Sequence, residues 1–455
     1  MLQLKKRYFG HLAAFSACLI AFETGICYVW TSPILPKLTS TEPGVNPIGT
    51  AVTITESAWI VSSMTLALIV GPFFSVVGLR YYTKKTILLI SMAPLGASHV
   101  VLCWADRAWI FIFARVLMGL GTGATWAVLG SYIAEISEDR NRGFLGSVCG
   151  INSNLGSLLA YILGPYLSMQ YFSLVNLIPV ALFYLTFSFM PDSPYDLVLR
   201  LEYDLAKRNL EILRQSRDVE KEFEFVKETV EVGSKDKVRL SDFLKDKALR
   251  KGLLFCVALM ACQVSSGINA VCSYAETIFQ LAGNSIPPEY SPMIFSVFST
   301  ASIIISSFLI DKIGRKVLIT TSCIIESISL FCLGFYFFQL EGNRDVSKIS
   351  WLPLSTVIVF SMAFNFALGV VPWIIAGEIF HSSVKGIAST ITSLSNFFMS
   401  FIVTMYFPYM VASVGMGWTF WSFAVLMVFG SIFCLVFLPE TKGKNFQEIQ
   451  DILKK

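Results

Sequence analysis

The feature that most limits how this chain can fold is its division into twelve apolar segments, interrupted by one long charged stretch. The segments run at about 8–30, 57–79, 86–104, 108–134, 144–167 and 172–190, then at 252–280, 290–310, 317–338, 352–378, 384–412 and 418–438. A run of about 20 apolar residues crosses a hydrocarbon core as a helix, which satisfies its own backbone there. Twelve such runs predict an all-α polytopic membrane protein. The first run follows Lys5-Lys6-Arg7, is too long for a signal-peptide core and lacks a small-residue cleavage site, so it reads as a spanning helix.

With 55% hydrophobic and 15% charged residues, the chain is too apolar for a soluble globular protein. Its charge is concentrated in residues 191–251, which hold fourteen Lys or Arg and fourteen Asp or Glu. That balance predicts a solvated loop and excludes a nucleic-acid patch. Leu201, Leu205, Leu210 and Leu213, then Phe223, Val226 and Val230, recur at helical spacing. They predict two or three short amphipathic helices docked beneath the bundle, with too little apolar surface for a core of their own.

With both ends of the chain inside, inner loops and tails carry 30 of the 35 Lys and Arg and outer loops carry four. The positive-inside rule then places the termini and the long loop in the cytosol, and the plasma membrane is the expected location. The ten cysteines lie in apolar segments without a CxxC pair, and read as small apolar fillers rather than disulfides or metal ligands. No nucleophile with a base and no phosphate-binding glycine loop occurs, so an enzyme is not expected, nor any cofactor or metal.

The two halves repeat each other. Arg80-Tyr-Tyr-Thr-Lys-Lys answers Asp311-Lys-Ile-Gly-Arg-Lys at an offset of 231 (311 minus 80), Glu135 answers Glu378 at 243 (378 minus 135), and Pro191-Asp-Ser-Pro answers Pro439-Glu-Thr-Lys at 248 (439 minus 191). Three pairs in one order predict two parallel six-helix repeats: 1–190, then after the 191–251 loop 252–438, with 439–455 as a tail. Solute would bind at midplane between them.

Glu135 with Arg142, and Glu378 with Lys385, sit at the ends of the fourth and tenth segments, with Asp311 and Arg315 in the opposing turn. Such exposed pairs contribute about 0–1 kcal/mol each, so they can clamp one side shut and part when solute binding favours the other state. The plain alternative is that they only anchor the helix ends. Gln263 and Asn269 are six residues apart in the seventh segment, so both face one cavity only if the helix breaks between them, and Ser265-Ser266-Gly267 is the place for it. Gly369 and Pro372 interrupt the tenth segment beside Phe364, Asn365 and Trp373, and the eleventh carries Asn396. Amides and an aromatic face suit a polyhydroxy ring, although buried amides also simply join neighbouring helices. Five ionisable residues lie within segments: Glu23, His99, Arg115, Glu276 and Glu326. His99 reads as a satisfied interhelical residue, Arg115 and Glu276 as structural, and Glu326 has no derivable role.

Arg115-xxx-Gly119-x-Gly121-x-Gly123, Tyr132-xx-Glu135, Pro191-Asp-Ser-Pro, Gln263 with Gly267-Ile-Asn269, Asp311-Lys-Ile-Gly-Arg-Lys, Pro372-Trp373 and Pro439-Glu-Thr-Lys-Gly together resemble the sugar porters of the major facilitator superfamily. Thr31-Ser-Pro-Ile-Leu-Pro-Lys-Leu38 is most similar to the insect facilitated trehalose transporter-like branch. The resemblance implies the major facilitator fold, function as a monomer, and facilitated diffusion of a hexose or trehalose by alternating access, with Gln263, Asn269, Trp373 and Asn396 contacting sugar and Phe364 lining the tenth helix. It also exposes departures. Gly150, Val264, Ser299 and Phe397 stand where the family usually has larger polar or aromatic groups, Arg80 replaces an acid or amide, and Thr83 replaces a glycine. Asn152 or Asn154 could supply an amide in compensation. Two alternatives follow: a proton symporter with Glu23 as the first-helix acid, and a sensor that binds sugar without transport. Matching Phe22-Glu23-Thr24-Gly25 gives Glu23 that position, whereas matching Thr31-Ser32-Pro33 gives it to Cys27 and favours uniport.

Overall fold

The structure is a computed structural model that describes residues 8–42, 44–138, 140–235, 247–283, 286–380 and 382–438, with Glu440, Lys442 and Glu448. Among the described residues, ten helices are long and apolar enough to cross a membrane. Two more spans complete the set. Ser382–Phe437 is one 56-residue helix by hydrogen bonding, but Gly415 has φ +87° and bends it into the eleventh and twelfth spans. The fifth span, Arg142–Leu163, is less apolar because Asn152, Ser153, Asn154 and Ser157 interrupt its run.

Local chemistry explains where several spans begin. The second, Ile54–Gly78, starts with a capping box in which Thr53 accepts from the Glu56 N–H and Glu56 returns to the Thr53 N–H. The third, Lys84–Leu102, and the sixth, Met169–Phe187, are capped by the hydroxyls of Thr83 and Ser168. The fourth, Ala108–Ile136, carries the glycine motif on a face where backbones nearly touch. A Cβ on Gly119 would lie 2.3 Å from Met64 O, and one on Gly123 would lie 2.7 Å from Leu68 O. The motif is therefore first a packing device, letting the second span press against the fourth.

The broken spans fall where the sequence places them. The seventh comprises Lys247–Ser265, Ile268–Ser273 and Ala275–Ala282, with Gly267 at φ +77° in the first break. The tenth comprises Leu352–Ala363, a π-helical turn Phe364–Leu368, and Val371–Ile379 with Pro372 in its first turn. Tyr290–Ile313 and Arg315–Glu341 form the eighth and ninth. The first span, Phe9–Val29, continues with a bend into Thr31–Thr39.

The charged stretch forms three described helices, Pro194–Leu199, Tyr203–Arg214 and Glu220–Lys235. Two expectations need correction. Leu201 lies between helices with φ +63° and is exposed, because the chain reverses there, and Leu205, in the helix that follows, is exposed as well. And the stretch does have a small core, in which Leu197, Ala206, Leu210, Val219, Phe223 and Val226 bury one another. Docking is made by Arg214, whose guanidinium donates to Ile136 O and Ser137 O at the end of the fourth span. The tail from 439 lies mostly outside the described residues.

Candidate functional site

A cavity of about 370 Å³ lies between the halves, within the usual range for small-molecule sites of about 300–1,000 Å³. Gln263, Asn269, Phe364, Asn365, Trp373 and Asn396 all line it. The break at Gly267 is what lets Gln263 and Asn269 share the cavity despite their six-residue spacing. Phe364 and Asn365 lie in the π-helical turn, and Pro372, four residues past Leu368, has no N–H to give the Leu368 carbonyl. Gln263 takes this carbonyl up, its amide nitrogen donating to Leu368 O at 2.9 Å and to Gly369 O at 3.1 Å.

The amides differ in what they have left for a ligand. Gln263 Oε1 also accepts from Asn396 Nδ2 at 2.7 Å, so Gln263 is largely committed to holding the seventh, tenth and eleventh spans together. Asn269 donates to the Ser400 hydroxyl at 2.8 Å, and Asn365 donates back to Ser361 O at 3.0 Å. Each keeps its carbonyl oxygen for a solute hydroxyl. Trp373, 39% exposed, lines the cavity and is its tenth-span aromatic beside Phe364.

The first half contributes a wall that the sequence reading named only in part. Gly150, Ser153, Asn154, Ser157 and Tyr161 line the cavity at spacings i, i+3, i+4, i+7 and i+11 along the fifth span. That is one helical face, and a period count over small hydroxyl and amide residues finds it. Asn154 rather than Asn152 reaches the cavity. Arg115 lines it too, with its guanidinium donating to Ile60 O and Cys27 O.

The far-face mouth is closed by contacts between the halves. Thr31 Oγ1 donates to Ser273 O at 3.1 Å, the Glu276 N–H donates to Ser32 Oγ at 3.1 Å, and Tyr161 OH donates to Cys272 O at 3.0 Å. The Thr65 and Thr404 hydroxyls meet at 3.2 Å, and Tyr409 OH donates to Thr55 Oγ1 at 3.1 Å. Hydroxyls of the first half thus take the backbone groups freed at the second break of the seventh span.

On the face that carries the long loop, the described ion pairs stay within one half each. Lys84 pairs with Glu135 at 2.9 Å and with Asp196, and Ser193 donates to Glu135. Arg315 pairs with Glu378 at 3.0 Å. Glu135 therefore meets Lys84, a residue the sequence reading passed over, while Arg142 turns to Ala134 O. The side chains of Asp311 and Lys385 lie outside the described residues. The anchor of each turn also differs. In the second half Glu440 accepts from the Arg315 and Lys316 N–H groups beside Gly314, which has φ +108°. In the first half Asp196 accepts from the Lys84 N–H, while Thr83 keeps an ordinary φ of −71° and donates to Asp192. Thr83 is tolerated because this turn takes a different backbone path.

Residues 12–453 match the model of the family described as sugar (and other) transporter. The chain belongs to this family. Facilitated trehalose transporter Tret1 of Polypedilum vanderplanki is 30% identical over 442 residues, covering 96% of this chain and 87% of that protein. Tret1 of Anopheles gambiae is 31% identical over 442 residues, and this chain spans 55% of its length. Among solved structures, the xylose transporter XylE from E. coli in a partially occluded inward open conformation superposes with a TM-score of 0.80 at 21% identity, covering 96% of this chain and 99% of that one. XylE as a proton:xylose symporter bound to 6-bromo-6-deoxy-D-glucose gives 0.77 at 22% identity, covering 98% and 99%. These likenesses show the twelve-helix major facilitator fold.

For this sugar transporter family member, the departures at Gly150, Val264, Ser299 and Phe397 all fall on the cavity wall. A Cβ on Gly150 would meet nothing within 4 Å, so the wall there is open space. Glu23 is elsewhere. It is fully buried one turn from Cys27, with Oε1 2.5 Å from His99 Nε2 in the third span, and does not line the cavity. Cys27, one turn on, accepts from the Arg115 guanidinium through its backbone carbonyl. Glu326 is buried in the ninth span, accepting from the Ser322 hydroxyl at 2.7 Å.

Proposed function

We propose that this chain carries a neutral sugar, a hexose or trehalose, down its gradient by alternating access, with its termini and long loop in the cytosol of a plasma-membrane, monomeric transporter. The observation that carries this reading is the cavity itself: amides and serine hydroxyls of both halves around an indole, closed on the far side by hydroxyl-to-backbone bonds. Sugar hydroxyls would exchange water for Asn269, Asn365, Asn396 and the fifth-span serines, while Trp373 covers the apolar ring edge. Each closing hydrogen bond contributes about 0.5–1.5 kcal/mol net, so differential binding of one sugar can shift the balance between states. When the far side opens, Glu135 and Glu378 on the loop side would exchange partners across the halves and close it.

The family relatives named for trehalose and the open space at Gly150 both favour a disaccharide-sized solute. Glu23 lies off the cavity with His99 as partner, which favours uniport over proton symport. The test is uptake of labelled trehalose and glucose into proteoliposomes at two outside pH values. Saturable, pH-independent uptake abolished by Asn269→Ala supports the reading; acid stimulation would move it to Glu23. Saturable binding without flux would make the chain a sensor instead.

A further inference from the structure

Arg80, the residue that departs most from the repeat pattern, has no role in the cavity or the loop-face ion pairs. It opens a turn, Arg80-Tyr81-Tyr82, directly after the second span. Arg200 Nη1 donates to Tyr81 O at 3.0 Å and ties this turn to the step after helix Pro194–Leu199. Around that bond four apolar or aromatic side chains are more than half exposed: Tyr81 69%, Tyr82 51%, Leu199 58% and Leu201 71%. Leu201 holds φ +63°, fixed by its N–H to Val198 O and by the Glu202 N–H to Leu197 O. A left-handed backbone costs a leucine about 1–2 kcal/mol, and here it turns the side chain outward rather than into the small core.

The patch continues the exposed apolar face of the second span, where Phe73, Phe74, Val76 and Val77 would meet lipid tails. It therefore sits at the level of the headgroups. Among the described residues, neither Arg80 nor Arg200 pairs with a carboxylate, and the Arg80 side chain has no acceptor. Tyrosine rings at the interface and arginines beside phosphates are what a membrane surface selects. Glu202 and Asp204, next along the chain, oppose the charge, so the attraction is local to the two arginines.

We propose that Arg80 and Arg200, framed by Tyr81, Tyr82, Leu199 and Leu201, bind an anionic phospholipid headgroup of the cytosolic leaflet. The leaflet rests on the orientation proposed above; the binding itself does not. The purified full-length chain in detergent is mixed with equal amounts of phosphatidylserine and phosphatidylcholine, and retained lipids are counted by native mass spectrometry. Phosphatidylserine should be retained preferentially. Arg80→Gln, an exposed side chain without a protein acceptor, should cut that preference roughly fivefold, the effect of one basic residue at an anionic surface, and Arg200→Gln should cut it further. Tyr82→Ser with Leu201→Ser should lower retention of both lipids. Equal retention by the unaltered chain, a preference unchanged in Arg80→Gln and Arg200→Gln, or a lipid-independent dimer lost in Tyr82→Ser, would each overturn the proposal. Sugar flux is not read, so failure of the transport reading leaves this result standing.

Discussion

The two amides of the seventh span separate binding from architecture. Gln263 holds two carbonyls of the tenth span and the Asn396 amide, so Gln263→Ala removes three hydrogen bonds and leaves the buried Leu368 O unpaired, at about 1–3 kcal/mol for that group alone. Asn269 has one partner, the Ser400 hydroxyl. Asn269→Ala should thus abolish uptake with little change in melting temperature, whereas Gln263→Ala should lower both; thermal shift beside uptake checks the split, and equal melting losses would refute it. The buried Glu23 and His99 pair gives a second prediction. Removing one partner leaves the other's buried polar atom unpaired, so His99→Leu should destabilise the protein by about 1–3 kcal/mol while the variant keeps pH-independent uptake. At this scale the sequence made the amides legible because such groups are rare in apolar segments. It did not reveal which were already spent on the backbone, although Pro372, which has no N–H to give Leu368 O four residues before it, marks where a carbonyl is left free.

The breaks in the spans were readable for a simple reason: glycine and proline mark them, and Gly267 and Pro372 stand at the observed ones. Gly267 holds φ +77°, and a Cβ there would lie 2.7 Å from the Phe423 ring. Gly267→Ala should lower both stability and uptake, and restored uptake in Gly267→Ala with Phe423→Ala would show that the clash rather than the φ dominates. The second break was not readable, because Tyr274 marks it without glycine or proline. It supplies the carbonyls of Cys272 and Ser273 that Tyr161 and Thr31 hold. Thr31→Val should therefore weaken the far-face closure. In a variant with Cys272 as the sole cysteine, labelling by an impermeant maleimide added on that side should rise several-fold, and no change would mean that the remaining contacts suffice. The loop helices were legible from their leucine spacing, but Leu201 was misplaced because a chain reversal at positive φ leaves no trace in periodicity.

Among the described residues, the loop-face ion pairs Lys84–Glu135 and Arg315–Glu378 each join residues of one half, while Thr31–Ser273 and Tyr161–Cys272 join the halves on the far side. Glu440 shows how firmly one network is set. Burial alone would raise its carboxyl, but the N–H groups of Lys442, Arg315 and Lys316 outweigh burial and hold it below the usual carboxylate range. Its contribution is complete above that range and is lost only as pH falls through the lowered value, so stability between pH 7 and 5 should not change through this group; Glu440→Gln should differ from the unaltered chain by a constant amount over that interval. The twelve-helix plan was readable because charge and hydropathy alternate at the scale of the membrane. The far-face closing contacts were not, because a hydroxyl meeting a backbone carbonyl of the other half leaves no pattern in charge or hydropathy. The loop's packing also bears on how such a protein could arise and be divided. With the three loop helices packed on one another and on the first half through Arg214 and Asp196, two separate polypeptides, residues 1–235 and 247–455, should find each other in one membrane and restore flux, as two genes could before their fusion into one.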